Sequence, residues 1–317
     1  MLIGSFGYFA LHQRMTRDTL IMPVTTSATD HAIPPAPANC PLRIGSPGDF
    51  TRVRSFLART GYADVALCQA LDMPRISDLV RVDWNSKPLD KLCTGLRLLL
   101  ALFVRAELAL EAESIEVWGP ETLAAFLSLG LLRRSQRHAG YVAATVWLSP
   151  VDGFVVASDL SVDPDGDDFQ PFDDAVFPAI ESLTLEFLRF LTDVHGDALD
   201  LCGGSGIGAL QLARTARVAV TADVTPRYAF FAAFNGLLND MSIVSACGDL
   251  YAPLDGRQFD FISAHPPYVP DLGPRAIYRD GGEAGESIVR RIIEELPRHL
   301  RPGGRCVIVG YARDTNA

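Results

Sequence analysis

Four glycines, Gly203, Gly204, Gly206 and Gly208, interrupt an apolar run through Asp200 and Leu201. They give way to helical spacing at Ala209, Leu210, Leu212 and Ala213. A buried strand that turns through glycine into a helix gathers backbone N–H groups and a helix N-terminus at one point, which suits a nucleotide-like ligand. Three further strand ends carry side chains with matching chemistry. Asp223 closes the next apolar run and can accept both hydroxyls of a ribose. Asp249 closes the third, placed to accept from an adenine amino group, with Leu250 expected to pack on the ring. After the fourth come His265, Pro266, Pro267 and Tyr268. The prolines stiffen that loop and aim its carbonyls, histidine exchanges a proton near neutral pH, and tyrosine can stack on a bound group.

Spacing within the turn leaves two ligand classes open. Gly204, Gly206 and Ala209 satisfy the dinucleotide pattern G-x-G-x-x-G/A, while Asp200, Gly204 and Gly206 satisfy the looser D-x-x-x-G-x-G of S-adenosylmethionine sites. The residues are positioned by alternating strands and helices, as in a doubly wound parallel α/β sheet. The strands are expected at Ala198–Leu201, Arg217–Thr221, Ile243–Ala246, Phe259–Ala264 and Arg305–Gly310. Helices are expected through Leu238 and over Gly285–Leu300, and the expected strand order is 3-2-1-4-5.

Before this domain the pattern is mainly helical. Phe50, Val53, Phe56 and Leu57 share one helical face, and Val65, Leu67 and Leu71 a second. Longer helices are expected over Leu89–Leu110, Pro120–Leu132 and Phe177–Leu191, with Arg133 and Arg134 suiting a helix C-terminus. Two strands meet around Pro150-Val151-Asp152-Gly153. The resulting division is a disordered tail at 1–46, a winged-helix-like domain for substrate or dimerisation at 47–160, a solvated acidic linker at 161–175 and the α/β domain at 176–317.

In the loop after the fourth strand the chain resembles the class I S-adenosylmethionine-dependent methyltransferases, and within them the protein-(glutamine-N5) methyltransferases, whose hallmark there is N-P-P-Y. The resemblance runs from about Phe177 to Gly310 and takes in LDLCGGSGIGAL, TADVTPRY, Asn235, Asn239, GDLYAPL and RDGGEAGESIVRRIIEELPRHLRPGG. It implies a Rossmann-like fold, S-adenosyl-L-methionine as cofactor, and Asp200, Gly204, Gly206, Asp223, Asp249 and Leu250 as its binding residues. It also implies His265, Pro266 and Tyr268 as the catalytic loop. Three departures stand out: Cys202 for a glycine, Ala284 for an acidic residue, and His265 for the asparagine that holds the acceptor amide nitrogen. Histidine cannot reproduce the donor-and-acceptor fork of an amide, but it can take a proton. The first expectation is therefore methylation of a small-molecule or unusual N/O acceptor. The alternatives are methylation of a release-factor glutamine, cyclisation or cleavage of S-adenosylmethionine, and cofactor binding without catalysis.

Composition narrows the classes further. The chain has 317 residues, 48% of them hydrophobic, and a formal charge of −10 that argues against a phosphate-binding face for nucleic acid. Six scattered cysteines without a C-x-x-C pair imply reduced thiols, no metal and a cytoplasmic location. The run Leu98–Val104 is too short to span a membrane. Only Tyr311–Ala317 follow the fifth strand, so its outer edge is expected to be covered by the acidic linker, by the β-ribbon near 141–160 or by a second copy in a homodimer, or the gene product is truncated.

Overall fold

The computed structural model describes residues 9–11, 33–166, 169–269, 277, 279, 281 and 285–310. The chain divides into two compact units, one of Phe187–Ala233 and Ser242–Ala317 with Met1–Pro35, the other of Ala36–Glu186 with Phe234–Met241.

The first unit holds a parallel sheet of β1 (Asp197–Leu201), β2 (Val218–Asp223), β3 (Val244–Cys247), β4 (Phe259–Ala264) and β5 (Leu300–Ile308). Their order is β3-β2-β1-β4-β5, as the alternating pattern predicts. Helices Ile207–Leu212, Pro226–Leu238 and Ser287–His299 alternate with the strands. The parallel strands are apolar on successive residues because both faces are covered; Leu199, Leu201, Val220, Ala222, Phe259 and Ile262 are all buried. Register decides where the chemistry sits. Leu201 pairs with Ala222 on one side and with Ala264 on the other. Cys202, Asp223 and His265 therefore each lie one residue past a common level. At the opposite ends, Arg301 bonds to Asp260 at 2.6 Å and Asp197 at 3.0 Å, and Arg217 to Asp197 at 2.7 Å.

The outer edge of β5 is not bare. Phe9–Leu11 pairs with it antiparallel, Ala10 opposite Val307. That strand corrects the reading of 1–46 as wholly unstructured, as does Leu42, which is fully buried and followed by Arg43 bonding its N–H to the Leu129 carbonyl. Residues 12–32, the loop position Ala284 and the segment 311–317 lie outside the described residues, and with them much of the expected tail at 1–46 and the expectation for the chain beyond 310.

The second unit begins with helix Pro47–Thr60, whose start is written locally. Ser46 caps it reciprocally with Asp49, Pro47 sits at the first position, and Gly61 closes it at φ 75°. Its buried face is Phe50, Val53, Phe56 and Leu57, and Phe56 joins Trp118 and Phe126 in an aromatic cluster with centroids 5.0–6.1 Å apart. Three expected helices are shorter, Phe177–Leu191 being reduced to Ser182–Leu188. The segment 89–110 resolves into a 3-10 turn, a helix Thr94–Phe103 and a strand Ala109–Leu110. Helix Pro120–Ser128 stops before Gly130, where φ is 68° and a Cβ would lie 2.1 Å from the Pro41 carbonyl oxygen. Arg133 and Arg134 consequently stand on a strand, Leu132–Arg134, and not at a helix end. Their partners are carboxylates: Arg134 grips Glu111, and Arg133 reaches Asp163 and Asp165. Asp165 is 7% exposed and also accepts from Ser135 and the Gln136 N–H, bonds that hold its carboxyl down at about 2. This part of the acidic segment is thus anchored, where a solvated linker was expected.

The hairpin Val146–Val151 and Phe154–Asp159 turns through Asp152 and Gly153, both at positive φ, as a two-residue primed turn requires. Its far edge is satisfied by side chains. Asn239 accepts from the Val155 N–H and donates to its carbonyl, both at 2.8 Å. Asn235 does the same for Ala157 at 2.8 and 3.0 Å. One helical turn between the asparagines advances about as far as two strand residues, so the amides fall in register with alternate backbone groups.

Candidate active site

The glycine turn is built around a buried carboxylate. Asp200 accepts from Ser263 Oγ at 2.7 Å and from the Ala209 N–H, and a Cβ on Gly208 would lie 2.5 Å from that carboxyl. Loss of water pushes it up to about 7 despite those bonds. It ties strand, turn and helix together from beneath. Gly203 and Thr221, neither of them among the expected cofactor-binding residues, belong to the same packing. The Thr221 hydroxyl is buried without a hydrogen-bond partner and fills the place of a Gly203 Cβ, 2.0 Å away. Cys202 carries its side chain at φ 55°, a left-handed angle that accounts for glycine as the expected residue.

Asp223 reaches across from β2. One oxygen accepts the Gly204 N–H and the other the Val224 N–H, each at 2.7 Å. A carboxylate has about four acceptor positions, so two remain for hydroxyl donors. Enclosure by the turn raises its carboxyl to about 6. A Cβ built on Gly204 meets nothing within 4 Å, so the backbone beside Asp223 opens onto free space. Two spare acceptor positions beside an open, side-chain-free turn fit the ribose of an adenosyl cofactor.

The adenine end differs from expectation. Asp249 is bound by Arg291 of helix Ser287–His299 at 2.6 Å, so one of its oxygens is already engaged. Leu250, expected to pack on a ring, is 6% exposed and belongs to the core with Leu199 and Tyr251. Its φ of 48° lies in the left-handed region. No local signal marks Arg291, which lies 42 residues beyond Asp249.

The proline loop is rigidly seated. The Val269 N–H donates to Arg279 and Gly281 donates back to Val269, at 2.9 and 2.8 Å. A Cβ on Gly281 would sit 2.8 Å from the Pro267 carbonyl oxygen, which makes glycine necessary there. Two rings lie near His265: Phe187 at 5.3 Å and 57°, and Tyr268 nearly parallel at 6.0 Å. Burial lowers the imidazole to about 4, so it is neutral at physiological pH. That lies below the near-neutral range expected of it from the sequence. Among the described residues no cluster of His, Cys, Asp or Glu could hold a metal ion, and no helix is long and apolar enough to cross a membrane.

A family profile described as the methyltransferase small domain matches residues 181–315. The chain is 32% identical over 135 residues to the release factor glutamine methyltransferase of Koribacter versatilis, covering 38% of this chain and 48% of that one. It is 36% identical over 133 residues to the ribosomal protein uL3 glutamine methyltransferase of Bradyrhizobium diazoefficiens, covering 37% and 41%. With the release factor glutamine methyltransferase of Mycolicibacterium smegmatis it shares 30% identity over 207 residues, covering 60% and 67%. The chain thus spans about half the length of the first two relatives and two thirds of the third. The matched segment contains all five parallel strands, the glycine turn and the proline loop, and on these grounds the chain belongs to the class I S-adenosylmethionine-dependent methyltransferases that carry the methyltransferase small domain.

Proposed function

We propose that this chain methylates the side-chain amide nitrogen of a glutamine in a protein, with a translation release factor as acceptor. The observation that carries the reading is the His-Pro-Pro-Tyr loop at the end of β4, one sheet level with Asp223, in a chain similar to proteins named as glutamine methyltransferases. The relatives matched are named for protein acceptors, which favours this reading over a small-molecule acceptor.

In this reading Asp223 holds the ribose hydroxyls and Gly204 and Gly206 let the cofactor approach the backbone. Asp249 keeps one oxygen for the adenine amino group, while Asp200 is a positioning residue beneath the turn and Leu250 acts through the core. Bound S-adenosylmethionine supplies an electrophilic methyl group on a sulfonium. The chain supplies alignment and exclusion of water. The Pro266 carbonyl and His265 orient the acceptor amide, and Tyr268 covers it. An amide nitrogen that gains a methyl group is far more acidic than imidazolium, so even a depressed ring nitrogen of His265 can receive its proton. The second unit is read as a winged-helix-like domain for acceptor recognition, and the protein as cytoplasmic.

The test is direct. Purified protein, S-adenosylmethionine and a release factor are incubated together, and peptides are mapped by mass spectrometry. Monomethylation on a glutamine is expected. Turnover to S-adenosylhomocysteine with small molecules of a filtered extract, and none with release factor or ribosomal protein uL3, would overturn the proposal.

A further inference from the structure

The histidine of the proline loop is held by a residue from a different element. Helix Ser182–Leu188 delivers Phe187, 2% exposed, to 5.3 Å from the His265 ring, and Tyr268 lies nearly parallel to that ring at 6.0 Å. We propose that Phe187 is a positioning residue: with Tyr268 it fixes the plane of the His265 ring, so that one ring nitrogen meets the acceptor's carboxamide N–H where relatives use an asparagine amide. This rests on the glutamine reading above and goes beyond it, because it names what lets histidine serve at that position.

The chemistry follows from the two states of the ring. A neutral imidazole has one nitrogen that accepts and one that donates, whereas the protonated ring only donates and would repel an amide N–H. A carboxamide needs an acceptor opposite its N–H, so the ring must stay neutral over the working range. The enclosure is apolar on the Phe187 side, and the one cause acting on the imidazole is loss of water. Tyr268 is the titratable group in contact with the ring, and its own burial keeps its hydroxyl protonated. The carboxylates at that end of the sheet, Asp200 on the adjacent strand β1 and Asp223 on β2 beyond it, are themselves raised by loss of water. Phe187 therefore does two things at once: it orients the ring and withholds water from it.

The experiment pairs titration with rate. The His265 ring is followed by NMR with labelled histidine in the full chain, in wild type, Phe187→Leu and Phe187→Ala. Wild type is expected to titrate well below 6.5, and both variants closer to 6.5 as water reaches the ring. In parallel, kcat/KM for methylation of a release-factor peptide is measured from pH 5 to 8. With S-adenosylmethionine saturating at every pH, wild type is expected to be level over that range, and the variants to lose roughly tenfold per pH unit on an acid limb below their new pKa. Combining Phe187→Leu with His265→Asn should remove the limb, because the amide does not titrate. Phe187→Leu is the primary variant, since it keeps most of the buried volume, and its melting curve must remain cooperative. An unmoved His265 titration in a folded Phe187→Leu protein overturns the positioning role. A moved titration without an acid limb overturns the contact between ring and acceptor. A peptide unmethylated by wild type at every pH overturns the glutamine reading and the carboxamide contact with it, while the NMR series still decides the role of Phe187 independently.

Discussion

A carboxylate that accepts two backbone N–H groups and still titrates near 6 is governed by its loss of water. Hydroxyl donors bind the ionised form best, so Asp223 should hold a ribose more tightly as pH rises through about 6. Titration calorimetry with S-adenosylhomocysteine is expected to show affinity that increases between pH 5 and 7, with proton release in that window. Asp223→Ala should weaken binding by roughly ten- to a hundredfold, the loss of charge-assisted bonds worth about 1.5–3 kcal/mol. Affinity that is flat with pH and indifferent to the substitution would assign the ribose elsewhere. At this scale the sequence was legible where function follows from local chain direction. Gly204, Gly206 and Asp223 could be read because a strand end and a tight turn are written in consecutive residues. The surroundings of Leu250 and His265 could not be read because they come from distant segments: the core takes one, and Phe187 packs near the other.

Elements meet at two places where a single atom matters. Gly206 has φ 82°, and a Cβ on it would lie 2.8 Å from Ala232 Cβ and 2.9 Å from Ala232 Cα in helix Pro226–Leu238. Neither strain nor clash can be relieved by a side-chain rotation. Gly206→Ala is expected to cost about 2 kcal/mol or more and to abolish cofactor binding, read by urea unfolding and calorimetry. In the second unit, Asn235→Ala leaves the Ala157 N–H and carbonyl buried without partners. It should destabilise by about 2–4 kcal/mol, and Asn239→Ala by less, because that residue is only half-buried. Equal and small losses would mean that water replaces both amides. Helix starts such as Ser46-Pro47 were readable from capping chemistry, whereas the early stop before Gly130 was not. That stop depends on the Pro41 carbonyl, brought there by tertiary packing.

Over the whole molecule, three buried titratable groups set opposing pH dependences. Asp200 is raised to about 7 and Asp223 to about 6 from 3.8, so the folded chain binds their protons more tightly than the unfolded chain. Their contribution is greatest below about 4 and is withdrawn as pH rises towards 7. His265 is lowered to about 4 from 6.5, so its contribution rises over much of the same range. Two groups outweigh one, and the urea midpoint of the apo protein should fall from pH 5 to 7.5. Asp200→Asn, which keeps an acceptor for the Ala209 N–H, is expected to flatten that fall. A slope unchanged by the substitution would show that Asp200 does not titrate in this window. The strand order of the α/β unit was readable because alternating strands and helices leave few topologies. The discontinuity of the other unit was not, since nothing near residues 234–241 announces that they close a hairpin some eighty positions earlier.

That closure has a temporal side. The amides that complete the edge of strand Phe154–Asp159 lie 78 and 84 residues downstream of the backbone groups they satisfy. A ribosome adding about 5–20 residues per second needs roughly 4–17 s to deliver them after the strand itself has been made. Throughout that interval the strand presents alternate unpaired N–H and C=O groups, a template for pairing with any other nascent chain. Translation speed across residues 160–240 therefore becomes a determinant of yield. Slowing it should increase aggregation of newly made chains, and chaperones that hold exposed strand edges should be needed most while this one segment is being synthesised.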